Sequence, residues 1–140
     1  MTRPAKLLLL TTSVAAVVVG LVAIAGGGWP SQASEGATIT IRYSRFEPAL
    51  VTARAGEPIA ITLSNADPIE HEWIVGAAAV HERHRSGTEP YHDHLPTEVT
   101  VPALSSHTTV VVFEEPGDYA FICHLPGHEA YGMRGTLRVE

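Results

Sequence analysis

The stretch Cys123-His124-Leu125-Pro126-Gly127-His128-Glu129-Ala130-Tyr131-Gly132-Met133 decides how the rest of the chain is read. It places a thiol, an imidazole and a thioether at five-residue intervals, with Pro126-Gly127 and Gly132 bounding the turns between them. Strand-like runs flank it. Asp118 to Cys123 enters after the Pro116-Gly117 turn, and Thr136 to Val139 leaves it. Three donor side chains therefore share one short loop between two strands.

That donor set suits copper. Soft sulfur favours Cu(I), imidazole serves both oxidation states, and a trigonal pair of imidazoles with one thiolate, plus a long axial Met, makes a one-electron centre. A second imidazole is then required. His71 is the best candidate, because it falls on an inward-facing strand position beside Trp73, just after the turn Asn65-Ala66-Asp67-Pro68. A buried inert thiol with a surface His and a core Met is the competing account; the shared loop argues against it. Cys123 is the one cysteine of the chain, which excludes an intrachain disulfide and any zinc site needing two thiolates.

Outward from the loop the pattern is one of strands. Thr38 to Tyr43 alternates with Ile39, Ile41 and Tyr43 on one face, Ile59, Ile61 and Leu63 alternate after Gly56-Glu57-Pro58, and His71, Trp73 and Val75 alternate after Asp67-Pro68. Thr97 to Val101 and Thr108 to Phe113 add two more. The fold class expected is all-β, a Greek-key β-sandwich of about seven to eight strands. Residues 77–96 read as a long His-rich connection, with a helical pattern only from Ala77 to His84. Its His81, His84, His92 and His94 are candidates for a weak second metal site, against the plainer reading of a solvated polar loop. His107 reads as structural or exposed.

The 140 residues suffice for one domain, and nine basic against fifteen acidic residues give a net charge of −6 with no basic stripe, which excludes nucleic acid as a partner. Arg3 and Lys6 precede an uncharged run from Leu7 to Gly28, so residues 1–33 are expected to be a hydrophobic export helix. The run is long enough for a membrane anchor, yet Ser31-Gln32-Ala33 also offers a signal-peptidase site, and both fates stay open. Either one sends residues 34–140 outside the cytoplasm, to the periplasm or cell surface. Without Arg3 and Lys6 the domain keeps seven basic residues against fifteen acidic ones, a net −8 that suits a partner with a basic face.

These residues resemble the cupredoxins, small copper proteins of electron transfer, over most of residues 37–140. Cys-x4-His-x4-Met matches the ligand-loop spacing of rusticyanin- and auracyanin-like members, and His71-Glu72-Trp73 looks like the azurin segment in which Asn follows the ligand His. The resemblance implies that one type 1 copper ion is held by His71, Cys123 and His128 with Met133 axial. Glu72 in place of Asn is the departure. The spacing also matches the mononuclear site of multicopper oxidases, but Ile122 stands where a His would precede the Cys, and the remaining His are too few for a trinuclear centre. His124 is then expected to hydrogen-bond within the loop. The function implied is a non-enzymatic, monomeric one-electron carrier docking a cytochrome or oxidase. The alternative is a copper buffer or chaperone of extracytoplasmic homeostasis that uses the His-rich loop.

Overall fold

A computed structural model describes residues 34–87 and 95–140; the expected export segment, and His92 and His94, lie outside the described residues. No helix among the described residues is long and apolar enough to cross a membrane. In chain order the elements are β1 (Ser34–Ile41), β2 (Phe46–Glu47), β3 (Leu50–Ala53), β4 (Ile59–Asn65), β5 (His71–Gly76), α1 (Ala78–Ser86), β6 (Glu98–Val101), β7 (Ser106–Val111), β8 (Gly117–Ile122) and β9 (Arg134–Val139). They form a four-stranded sheet, β2-β1-β4-β7, facing a five-stranded sheet, β3-β9-β8-β5-β6.

The apolar alternation read from the sequence is what closes the sandwich. Ile39, Ile41, Ile61 and Leu63 line the inner face of one sheet, and Trp73, Val75, Val101, Phe121 and Leu137 line the other, all buried. Phe46 meets Phe121 edge-on, with ring centroids 5.3 Å apart. The all-β sandwich expected from the sequence is therefore the observed architecture, with nine strands among the described residues instead of seven or eight.

Two local expectations are corrected. Tyr43 does not continue the first strand: pairing ends at Ile41, and Tyr43 and Ser44 adopt left-handed backbone, with φ of 54° and 51°. β2 and β3 were not foreseen, since two- and four-residue strands around Pro48 are too short to show a period. The 77–96 connection opens with a helix, over the stretch where the sequence showed a helical pattern from Ala77 to His84. Gly87 in αL conformation caps α1, and Arg83, His84 and Arg85 in its last turn suit its negative pole. The helix covers the outer face of β5, where Ile74 and Gly76 are buried although they point away from the sandwich core. A Cβ at Gly76 would lie 2.8 Å from Val80 Cγ2, so glycine is what lets the helix approach.

Candidate metal centre

β5 and β8 are antiparallel neighbours in register Ile74↔Ile122, which brings His71 at the start of β5 to the same end of the sheet as Cys123 just beyond β8. The following loop turns back through Gly127 and Gly132, with φ of 86° and 88°. Backbone bonds tie it down: Met133 N–H donates to the His128 carbonyl at 3.0 Å and Cys123 N–H to the Met133 carbonyl at 3.2 Å. His128 Nδ1 comes to 3.3 Å from both Cys123 Sγ and His71 Nδ1. One atom from each of these three residues lies within 4.8 Å of the others, and among the described residues no other such group of three occurs.

His71 and Cys123 are fully buried, and His128 is part-exposed at the rim. Met133 is buried as well, its backbone locked to both Cys123 and His128. The Glu72 amide donates to Cys123 Sγ at 3.4 Å, so the exchange of Asn for Glu at this position leaves the backbone contact intact. Burial pushes the Cys123 thiol up, outweighing the amides of Glu72 and Leu125 that favour the thiolate; a cation bound here would hold the sulfur ionised. Burial, and then the neighbouring His71, holds His128 below the usual imidazole range, in the neutral form that ligates.

The donor set fits copper. Bonds of about 2.0–2.3 Å to nitrogen and sulfur put trigonal neighbours about 3.5–4 Å apart, close to the spacings found. Structural zinc takes four strong ligands, whereas one thiolate and two imidazoles suit copper in both oxidation states.

The remaining candidate histidines are arranged differently. His81 and His84 sit on α1 and pack against His124, whose ring stacks on His84 at 5.2 Å and 25°. His81 Nε2 donates to the Ala120 carbonyl at 3.1 Å, which leaves Nδ1 of the neutral ring to accept from His124 Nε2 at 3.0 Å. His124 is thus turned from the metal donors and hydrogen-bonded, as expected, although to a helix the sequence did not show pairing with it. Beyond its other nitrogen lies Glu129, 3.8 Å away, already held by the Arg85 guanidinium in two bonds of 2.7 and 3.0 Å. Arg85 holds the Glu129 carboxyl below the usual range.

Burial, then His81 and His84, pushes the His124 pKa down to about 4, and burial likewise lowers that of His81. The unfolded chain therefore takes up these protons first, and stability is lost as pH falls below the usual imidazole range. Urea unfolding of metal-free protein should show a loss of about 2 kcal/mol between pH 7 and pH 5, and a smaller loss in His124→Gln. Equal stability at the two pH values would contradict the buried neutral rings.

A family model described as "Cupredoxin-like domain" matches residues 13–139. The copper-resistant cuproprotein CopI of Rubrivivax gelatinosus is 36% identical over 99 residues, 69% of this chain and 60% of the relative, so the chain spans about three fifths of that protein's length. Reduced auracyanin from Roseiflexus castenholzii superposes with a TM-score of 0.64 at 22% identity, covering 77% of this chain and 98% of that one. Auracyanin A of Chloroflexus aurantiacus, a "blue" copper protein, gives 0.60 at 20% identity, over 76% and 99% of the two chains. Sandwich, donor loop and family model agree: the chain belongs to the cupredoxin-like family, whose metal is copper, and His71, Cys123 and His128 form a cluster that fits that ion.

Proposed function

We propose that the chain is an extracytoplasmic type 1 copper protein that passes single electrons between redox proteins. The observation that carries this reading is the convergence of two imidazoles and the one thiol within 4.8 Å, with His71 and Cys123 buried. Copper bound there supplies a Cu(I)/Cu(II) couple. The chain's own residues do the rest. β5 and the backbone-bonded loop hold His71, Cys123 and His128 at fixed spacing, so little rearrangement accompanies a change of charge. The core around Trp73, Phe121 and Met133 excludes water from the sulfur. On the 66–70 and 102–105 connections, joined by the Leu104 amide donating to the Asp67 carbonyl, Ile69 and Leu104 are exposed and offer the small apolar contact that weak redox docking uses. A cytochrome or oxidase with a basic face would complement the acidic domain.

Met133 is assigned as the weak axial donor. Met133→Leu is expected to keep the visible band and to shift the equilibrium toward Cu(I) by tenfold or more, about 59 mV in the potential. An unchanged potential would remove Met133 from the ligand set.

A second reading, copper homeostasis, is favoured by the name of the Rubrivivax gelatinosus relative. Copper stoichiometry with electron paramagnetic resonance on the full chain separates the two. A carrier binds one ion with a type 1 signal. A buffer binds more, and loses the excess when His81, His84, His92 and His94 are replaced by Ala.

A further inference from the structure

Asp67 stands four residues before His71 and reaches it. Its Oδ2 accepts from His71 Nε2 at 2.9 Å, while the other ring nitrogen, Nδ1, faces Cys123 and His128. Asp67 is itself buried, and its carboxylate is gripped from a distant part of the chain. Tyr43 N–H donates to Oδ1 at 2.7 Å and Ser44 N–H to Oδ2 at 2.8 Å. Those two amides come from the consecutive left-handed residues noted above, a conformation that costs about 1–2 kcal/mol per residue outside glycine. The carboxylate contacts offset that cost and give the distorted corner a purpose. Asn65 completes the anchorage: its Oδ1 accepts from Asp67 N–H at 3.0 Å, and its amide nitrogen donates to the carbonyls of Ile69, Val101 and Pro102.

Two consequences follow for the metal. A carboxylate cannot donate when ionised, so His71 must carry its proton on Nε2 and present a lone pair on Nδ1. The ring is thereby fixed in its ligating tautomer and orientation. The second consequence is one of charge. A buried anion bonded to a ligand ring makes that ring a stronger donor and adds negative charge to a site whose sulfur already carries one. More negative charge stabilises Cu(II) over Cu(I). We propose that Asp67 is a positioning residue that orients His71 and lowers the reduction potential of the copper centre. The inference rests on the type 1 reading above and deepens it.

The test is a redox titration of the copper-loaded full chain, with Cu(II) affinity measured separately by chelator competition, for wild type, Asp67→Asn and Asn65→Ala. Asp67→Asn removes the charge and is expected to favour Cu(I) by tenfold or more, about 59 mV upward, and to weaken Cu(II) binding roughly 10–100-fold. Asn65→Ala loosens the same segment without changing charge, so it should lower the melting temperature while leaving the potential within a factor of two. An unchanged potential in folded Asp67→Asn, or an equal shift in Asn65→Ala, would overturn the assignment. If Asp67→Asn does not fold, the wild-type Cu(I) protein decides. His71 Nε2–H should give a deshielded, slowly exchanging proton resonance, and rapid exchange would refute the bond. A wild-type chain without the intense visible band would overturn the type 1 reading, and the Cu(II) affinities would still judge Asp67.

Discussion

Cys123→Ser is expected to abolish the intense visible absorption of the copper-loaded protein and to weaken copper binding by more than the roughly 10–100-fold that losing a hydrogen bond to a ligand costs. The reason is that no other group can replace the thiolate. Cys123 is the only cysteine, it is fully buried, and its sulfur is the atom toward which His128 Nδ1 and the Glu72 amide both point. A serine hydroxyl at that position is a hard, neutral donor with a far higher pKa, so neither the soft bond nor its colour survives. Absorption and chelator competition measure the two effects, and an unfolding curve on metal-free protein checks that the sandwich is intact. Retention of the band would mean that the thiolate is not a ligand, and the proposed centre would fall with it.

The second large effect is on folding. Gly135 on β9 pairs with Phe121 on β8, at the place where the Phe121 ring enters the core. A Cβ added at Gly135 would collide with that ring and also with the Ala49 carbonyl oxygen, so the side chain cannot simply move aside. The obstacle includes backbone of the connection ahead of β3, whose Ala49 carbonyl accepts from Thr136 N–H at 2.8 Å. Gly135→Ala should therefore cost about 3 kcal/mol or more, the upper end of overpacking in a close-packed interior. Gly117→Ala is the control. Its new Cβ would meet only the Tyr119 ring, at 3.7 Å, and its stability should stay within about 1 kcal/mol of wild type. Chemical denaturation of both variants compares them directly, and similar midpoints would show that the β8–β9 packing yields more readily than the geometry implies.

The sandwich, and the residues that cluster as His71, Cys123 and His128, were legible because their signals are local. Alternation in Ile59–Leu63 and His71–Val75 needs only neighbouring residues, and the spacing of Cys123, His128 and Met133 lies within one loop. What escaped depends on partners far along the chain. The carboxylate of Asp67 is met by amides 23 and 24 residues away, and nothing in Tyr43-Ser44 announces left-handed backbone. Asp67-Pro68 reads as a turn, and the one available hint was an acidic residue four places before a candidate ligand. Helix α1, signalled by the Ala77 to His84 pattern, was only weakly marked because its sequence, Ala78-Ala79-Val80-His81-Glu82-Arg83-His84-Arg85-Ser86, has little apolar face to bury. What seats it is a bare strand surface at Gly76 and an imidazole contact with His124, neither of which shows in the helix itself.

Arg85, in the last turn of that helix, grips Glu129, and Glu129 follows His128 in the chain. The element outside the sandwich is therefore bolted to the segment that carries His128. Replacing residues 124–132 by a loop without His124 and Glu129 would leave the Arg85 guanidinium with Glu82 alone, 3.6 Å away, and His81 without its ring partner. The helix and the donor loop constitute a single exchangeable module, to be moved together or left alone.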